Sequence, residues 1–153
     1  MKKSINILNK KARFSYDLLD TYTAGIVLTG TEIKSIRASK ASIAESFCEF
    51  NDSGELFVIN MTVQEYDHGN HFNHRPKAER KLLLNKKELR KLEKEVKKTG
   101  LTIIPTKLFI NEKGFAKLKI ALAKGKKLFD KRETIKDREN KRNLDRIKKN
   151  FKS

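Results

Sequence analysis

The last 24 residues, 130–153, contain only four large apolar side chains, and this limits what the chain can fold into. These four are Ile135, Leu144, Ile147 and Phe151. They cannot bury enough apolar surface to offset the conformational entropy that ordering this segment would cost. Since the chain has 153 residues in total, the sequence predicts one domain of ordinary size over residues 1–123 and a separate extension over 124–153.

Positive charge is concentrated at the two ends of the chain. The net charge is +17, of which residues 1–13 carry +5, residues 124–153 carry +8 and the long middle part only +4. Such concentrated charge on flexible ends indicates a polyanionic partner, with nucleic acid as the first candidate. An anionic membrane surface is the alternative, but it requires an amphipathic helix with a broad apolar face, and the apolar face of the extension is too thin.

Several protein classes are excluded by the sequence. No apolar run approaches the roughly 20 residues that cross a bilayer, and the N-terminus has no continuous apolar segment of the kind found in secretory signals. Cys48 is the single cysteine, which excludes an intrachain disulfide and a cysteine-rich metal site, and we interpret it as a small core residue. We therefore expect a soluble, cytoplasmic monomer without cofactors or bound metal.

Residues 14–123 mostly follow the alternating pattern of strands. Residues 47–50 and 55–63 are predicted to form a hairpin around a turn in which Gly54 supplies a positive φ. Residues 31–37 belong to this strand-rich part and carry polar groups on both faces. Near residue 120, three apolar side chains alternate with Lys117 and Lys119, which predicts a half-buried strand with a basic outer face.

Two segments are predicted to be helical. Leu89, Leu92 and Val96 recur at helical spacing, so residues 86–98 form an amphipathic helix that ends at Gly100. Residues 38–46 are rich in Ala and Ser and suggest a short helix. With six or seven short strands, the fold is predicted to be mainly β, a small closed antiparallel OB-like Greek-key barrel with accessory helices and a C-terminal tail that is disordered until bound.

Three histidines, His68, His71 and His74, lie in a loop together with Asn70 and Asn73. A zinc site is conceivable, but no carboxylate or thiolate stands at a familiar ligand spacing. His and Asn also stack on and hydrogen-bond to unpaired bases, so the loop is interpreted as an RNA contact. The chain has no phosphate-binding glycine loop, no nucleophile elbow and no close pair of carboxylates in an apolar setting, and we predict that it is not an enzyme.

Glu32 is an acidic residue in an otherwise basic stretch, residues 30–37. One interpretation is a surface carboxylate paired with Lys34 or Arg37. The other is a carboxylate that accepts hydrogen bonds from a base edge, while Lys34 and Arg37 contact phosphates. Since an acid lowers the affinity of a surface for RNA, the second interpretation makes Glu32 a recognition residue.

Four motifs, at residues 9–13, 30–37, 80–85 and 123–132, make the chain resemble the small protein B (SsrA-binding protein) family. The resemblance spans nearly the whole chain, and it implies an OB-like barrel that is not an enzyme. It implies binding to the tRNA-like domain of transfer-messenger RNA, with alanyl-tRNA synthetase and elongation factor Tu with GTP as indirect partners. It also implies delivery to the A site of stalled ribosomes, where the tail becomes helical in the empty mRNA channel near the decoding centre.

The resemblance and the charge pattern together predict two sets of binding residues. The barrel residues predicted to bind RNA are Lys10, Lys11, Arg13, Glu32, Lys34, Arg37, Asn70, His71, Asn73, Leu83, Asn85, Lys119 and Lys124. The tail residues predicted to bind the ribosome are Gly125, Lys126, Lys127, Phe129, Asp130, Lys131, Arg132, Lys136, Arg138, Arg142 and Arg146. Among these, Gly125 matches the family's hinge before the tail, and residues 130–132 match its ribosome-facing motif.

Phe129 departs from the family pattern, because many members have His at this position. An aromatic ring still allows stacking on a base, but it does not hydrogen-bond to ribosomal RNA. Two other functions share the charge pattern. A ribosomal or general RNA-chaperone OB protein would bind many RNAs with similar strength, and an RNA-processing enzyme that used the histidine loop would need metal for turnover.

Overall fold

Strands dominate the part of the chain that the structure, a computed structural model, describes: residues 5–68, 73–98 and 100–126. The elements in chain order are β1 (Asn6–Leu8), α1 (Lys10–Ser15), β2 (Tyr16–Ile26), α2 (Gly30–Arg37), β3 (Ala41–Ser42), β4 (Phe47–Phe50), β5 (Leu56–Ile59), β6 (Thr62–Val63), β7 (Arg80–Leu83), α3 (Lys86–Val96), β8 (Leu101–Ile110) and β9 (Ala116–Gly125). The predicted mainly β class is confirmed.

Six antiparallel strands close into a ring in the order β8-β4-β5-β7-β2-β9, with β9 pairing back onto β8. Two strands pair along the same edge of β8: β4 pairs at Ile103, and β1 pairs over residues 107–109. The connections from β2 to β4 and from β7 to β8 join strands that are not neighbours in the ring. The predicted closed OB-like Greek-key barrel is confirmed, and closure leaves no free edge in the ring.

The barrel interior is filled by alternate side chains of these strands. Leu118, Ile120 and Leu122 of β9 are buried, whereas Lys119 between them is exposed, which confirms the predicted half-buried strand. Cys48 is buried in the same core, and its burial strongly raises the pKa of the thiol. Its predicted role as a small core residue is confirmed.

The predicted hairpin is confirmed for residues 47–50 and 56–59, which pair as β4 and β5, whereas residues 62–63 form β6 and pair with β3. In its turn, the side-chain oxygen of Asn51 accepts hydrogen bonds from the backbone N–H groups of Ser53 and Glu55, at 3.0 and 2.9 Å. Gly54 adopts a φ of +78°, which side chains other than glycine rarely tolerate. The helix predicted over 86–98 is α3, in which Leu92 is fully buried.

Two local predictions were wrong. Residues 30–37 form the helix α2 and not a strand, because Thr29 and Glu32 cap its first turn reciprocally through side chain and backbone. Residues 38–46 contain the short strand β3, which pairs with β6, and not the predicted helix. Ser39 has a φ of +59°, which breaks the chain direction immediately after α2.

The charge pattern suggested a flexible N-terminal arm. From residue 5 onward the segment is instead part of the fold, since β1 pairs with β8 and α1 packs beside β8. Asn9 connects these elements. Its side-chain oxygen accepts from the N–H of Ala12 at 3.2 Å, and its amide nitrogen donates to the carbonyls of Ile43 at 3.2 Å and Pro105 at 2.8 Å. Residues 5–15 therefore belong to the barrel.

Replacing Asn9 by alanine should lower the free energy of unfolding by about 1–3 kcal/mol, because two buried carbonyls lose their donor and α1 loses its cap. Chemical denaturation measures this loss. Lys10→Ala, one residue along on the exposed side of α1, is the control and should change stability by less than about 0.5 kcal/mol. Equal stability of the two variants would show that Asn9 does not hold the segment.

The barrel extends past the predicted domain boundary between residues 123 and 124. β9 continues to Gly125, which lies opposite Tyr16, and the N–H of Lys126 donates to the carbonyl of Ser15 at 3.0 Å. Gly125, predicted as a hinge, is therefore part of a paired strand, and the barrel reaches at least to Lys126. In the described ranges, none of the helices combines the length and the apolar character needed to span a membrane.

Candidate nucleic-acid interface

Glu32 and Arg80 form a buried ion pair, with side chains 5% and 2% exposed. The Arg80 Nε donates to one carboxylate oxygen of Glu32, and the backbone N–H of Thr29 donates to the other at 2.9 Å. The partner is therefore neither Lys34 nor Arg37, as the first interpretation of the sequence expected. The second interpretation also needs correction, because this carboxylate is not exposed to a base edge.

The helical period of α2 explains this arrangement. Glu32, Ser35 and Ile36 fall on one face of the helix and are buried, whereas Lys34 and Arg37 lie on the other face and are exposed. A strand would instead place residues 32 and 34 on the same side. The predicted phosphate contacts of Lys34 and Arg37 are thus sterically available, while Glu32 can act only from the interior.

The carboxyl group of Glu32 is held in its charged form. Burial raises its pKa, but the hydrogen bond from the Thr29 backbone and the Arg80 guanidinium outweigh burial, so the net pKa of Glu32 is lowered. A carboxyl whose pKa is lower in the folded than in the unfolded protein stabilises the fold above its unfolded pKa. This contribution to stability is lost as the pH falls through the pKa that the group has in the folded protein.

Arg80 also holds the backbone around α2. Its two terminal nitrogens donate to four carbonyls, those of Met61 at 2.9 Å, Ala78 at 3.0 Å, Pro76 at 3.1 Å and Arg75 at 3.3 Å. Together with the bond to Glu32, these contacts connect residues 75–78 and Met61, just before β6, to the helix. Sequence reasoning named Arg80 only as part of a motif and missed this role.

The described part of the histidine loop is held by its own polar side chains. The Asn73 amide oxygen accepts from the N–H of Tyr66 at 3.1 Å, and its nitrogen donates to the Tyr66 carbonyl at 2.8 Å. His74 donates through Nε2 to the carbonyl of Val63, while Nδ1 is hydrogen-bonded to the Thr31 hydroxyl, both at 2.9 Å. Asn73, predicted to contact RNA, is thus occupied in positioning the loop.

These contacts also bear on the zinc alternative. A histidine ligand needs one ring nitrogen for the metal, and both nitrogens of His74 are occupied by protein groups. No cluster of three His, Cys, Asp or Glu side chains suited to a metal occurs in the described ranges. Asn70 and His71 lie outside the described residues.

Leu83 and Asn85 lie near α2 at the end of β7. Leu83 is 52% exposed and, together with Ile33 of α2 and Phe115, lines a cavity of about 290 Å³ that we call the groove. Asn85 is exposed and caps α3, its side-chain oxygen accepting from the N–H of Glu88 at 2.8 Å. The fold thus brings Leu83 of β7 beside Ile33 of α2 in the groove, and the guanidinium of Arg37 lies near Gly114 at its edge.

Phe115 is a feature of this surface that sequence reasoning missed. It is 64% exposed, directly after the turn at Gly114 between β8 and β9. Its only signal in the sequence is a large aromatic residue placed next to a polar turn. The Lys34 ammonium lies 5.3 Å from the centre of the Tyr66 ring, which adds a second aromatic group beside α2.

The remaining predicted residues are located elsewhere on the barrel. Lys10, Lys11 and Arg13 are exposed on α1, where Lys11 forms an ion pair with Glu45. Lys11 and Lys126 line one cavity of about 430 Å³, and Lys124 is exposed near it at the end of β9. The predicted tail residues that lie outside the described residues are Lys127, Phe129, Asp130, Lys131, Arg132, Lys136, Arg138, Arg142 and Arg146.

Comparison with known proteins identifies the family. Residues 6–150 match the family described as SmpB protein. An SsrA-binding protein of Christiangramia forsetii is 70% identical over 152 residues, which cover 99% of this chain and 96% of that protein. An SsrA-binding protein of Flavobacterium psychrophilum is 69% identical over 151 residues, which cover 99% of this chain and 100% of that protein.

A solved structure supports the same assignment. A chain from "tmRNA-SmpB: a journey to the center of the bacterial ribosome" is 46% identical to this chain, with a TM-score of 0.68. The match covers 81% of this chain and 86% of that chain. The matched family consists of RNA-binding proteins and not of enzymes, in agreement with the sequence analysis. The chain therefore belongs to the SmpB protein family.

Proposed function

We propose that this chain is an RNA-binding adaptor of trans-translation, which binds the tRNA-like domain of transfer-messenger RNA and brings it to the A site of stalled ribosomes. The observation that carries the proposal is the family match over residues 6–150. Relatives about 70% identical to the chain are SsrA-binding proteins, and a solved relative is described with tmRNA on the bacterial ribosome. The proposed location is the cytoplasm.

The surface around α2 is the proposed site for the tRNA-like domain. Lys34 and Arg37 are exposed cations suited to phosphates, and the neighbouring groove offers Leu83 and Phe115 to an unstacked base. Glu32 supports this surface from below through Arg80 and does not read a base itself. In this proposal, Glu32 acts as a positioning residue.

Residues 127–153 are proposed to probe the mRNA channel as a helix that forms on contact with ribosomal RNA. They contain neither Gly nor Pro, and they carry 11 Lys and Arg against five Asp and Glu. Ordering a chain costs about 1–2 kcal/mol per residue, so contacts with a narrow polyanionic channel must offset this cost. A channel filled by mRNA denies those contacts, which provides selectivity for stalled ribosomes without reading a sequence.

Support of alanylation, and entry together with elongation factor Tu and GTP, are proposed to act through the bound RNA. Alanyl-tRNA synthetase and elongation factor Tu would then be indirect partners, and the protein itself performs no chemistry. Such an adaptor functions as a monomer, because one barrel and one tail make all the contacts that the proposal requires.

The experiment that tests the proposal compares two RNAs. A transcript of the tRNA-like domain should bind at least about tenfold more tightly than an ordinary tRNA of the same length, because the proposed contacts require an unstacked base and phosphates in an arrangement specific to that RNA. The log of the binding constant should fall linearly with the log of salt concentration, by about 0.7–0.9 for each phosphate contacted. Gel-shift titrations at four or five salt concentrations measure both quantities.

Three outcomes would contradict the proposal. Equal affinity for both RNAs would favour a general RNA-chaperone protein. Cleavage of either RNA that depends on added metal and stops with a chelator would favour an RNA-processing enzyme. A response that does not change with salt would remove the electrostatic basis of binding.

A further inference from the structure

A cavity of about 430 Å³ lies at the end of β9, between α1 and the loop that joins β3 to β4, and we call it the cleft. Its apolar lining consists of Ala12, Tyr16, Ala44, Phe47 and Ile104. Ala12 and Ile104 are buried, whereas Tyr16 and Phe47 are only half-buried. The cleft thus retains aromatic surface that the described residues do not cover.

This lining is a separate apolar cluster and not an extension of the barrel core. Ala12, Ile104 and Ala123 form its buried part, and Tyr16 and Phe47 pack against them. Removing apolar surface from water is favourable, and aromatic rings also pack well against other rings. An apolar occupant, above all one with an aromatic side chain, would therefore be stabilised in the cleft.

Hydrogen bonds and an ion pair hold the two walls of the cleft together. The Asn9 amide, which caps α1, donates to the carbonyl of Ile43 in the loop at 3.2 Å, and the Ser46 hydroxyl donates to the same carbonyl at 2.6 Å. Lys11 of α1 pairs with Glu45 of the loop, and both residues line the cleft. The cleft is therefore formed before anything enters it, so binding does not have to offset the cost of ordering its walls.

The chain itself reaches the rim of the cleft at Lys126. This residue lines the cleft, and its N–H donates to the carbonyl of Ser15 at 3.0 Å. Leu128 and Phe129 follow two and three residues later, so they can lie at most about 7 and 11 Å from Lys126 along the chain. They are the only two adjacent large apolar residues in the sequence from 127 to 153.

We propose that, in the free protein, the side chains of Leu128 and Phe129 occupy the cleft and anchor the beginning of the tail to the barrel. A segment attached at the rim has a local concentration in the millimolar range, so even weak apolar contacts fill the cleft. The same tether favours this occupant over a second copy of the chain. Asp130, the next residue, then comes near the ammonium of Lys11 at the rim.

This inference goes beyond the proposed function, because it concerns the protein before it meets a ribosome. The ring of Phe129 cannot fill the cleft and stack on a base at the same time. Binding of the tail to ribosomal RNA must therefore release the ring, while residues 131–153 are not held by the cleft.

Tryptophan fluorescence of the full chain tests the inference, because the natural sequence contains no tryptophan. In the free protein, the reporter of Phe129→Trp should emit at shorter wavelength and be quenched by acrylamide several-fold less than the reporter of Phe151→Trp. The latter is a matched aromatic replacement near the end of the same tail. A charge in the lining should remove this protection, so Phe129→Trp combined with Ala44→Glu or with Thr102→Glu should be quenched like Phe151→Trp. Thr23→Glu on the exposed side of β2 is the control and should leave the protection unchanged.

Three results would overturn the inference. The first is equal quenching of Phe129→Trp and Phe151→Trp in the free protein. The second is protection that survives both Ala44→Glu and Thr102→Glu, because the ring would then lie outside the cleft. The third is protection that disappears on dilution, which would assign the cleft to the tail of a second copy. Selectivity for the tRNA-like domain is measured separately on the wild-type protein, so each of these results leaves the proposed function intact.

Discussion

Replacing Arg80 by alanine is expected to lower the free energy of unfolding by about 3–5 kcal/mol, because the carboxylate of Glu32 is left buried without its partner. Four backbone carbonyls lose the same donor. Denaturation by urea, followed by circular dichroism, measures the loss. The acid dependence of stability should also change, since the Arg80 guanidinium helps to lower the pKa of Glu32.

Two comparisons make this prediction specific. Lys81→Ala removes an ion pair with Glu55 whose side chains are 43% and 39% exposed, and it should cost less than about 1 kcal/mol. Combining Glu32→Leu with Arg80→Met should recover part of the loss, because an apolar pair replaces two buried charges. If Arg80→Ala were no more harmful than Lys81→Ala, the ion pair would not be what fastens α2 to the barrel.

A chain that ends after Lys126 should still select the tRNA-like domain over ordinary tRNA and yet support no tagging of stalled nascent chains. In the described ranges, the N–H of Lys126 is the last that pairs with the barrel, so the shortened chain keeps every described barrel element and lacks only the proposed probe of the mRNA channel. Gel-shift titration measures selectivity, and a reconstituted translation reaction on an mRNA without a stop codon measures tagging. Loss of RNA selectivity in the shortened chain would refute the division into two functional parts.

The Ile147→Pro variant of the full chain tests whether the tail must form a helix or only has to be present. Proline in a helix interior destabilises the helix by about 3 kcal/mol or more. Tagging should therefore fall sharply, although the charge of the tail is unchanged. The matched control, Ile147→Ala, keeps helix propensity and should retain most of the activity. The melting temperature of the free protein should be the same in all three proteins, and a clear decrease with proline would place residue 147 in the core of the free protein.

Elements with a strong and regular pattern were predicted from the sequence. The spacing of Leu89, Leu92 and Val96 indicated α3, and the alternation around Leu118 indicated β9, since in both cases a single face is buried against the barrel. The helix α2 was missed because its eight residues offer two turns at most. The capping residues Thr29 and Glu32 are the signal in the sequence that indicates this helix.

The interior of the candidate site could not be predicted in the same way. Glu32 finds its partner 48 residues away, and Asn9 bonds to Pro105, 96 residues away, so only the folded topology brings these groups together. Outward side chains such as Lys34 and Lys119 were easier to name as candidates, because a charged residue on a surface needs no long-range partner to be recognised, whereas Leu83 was named through the family resemblance.

The hydrogen bond between Lys126 and Ser15 fixes the last described residue of the chain to the barrel. The 27 residues beyond it span at most about 90 Å when fully extended and about 40 Å as one helix. In the proposed function, the tail is a tethered ligand once the barrel has bound its RNA, and its local concentration at any site within that radius is in the millimolar range. Weak binding by the tail would then be sufficient, and an mRNA channel that lies beyond this radius would be out of reach.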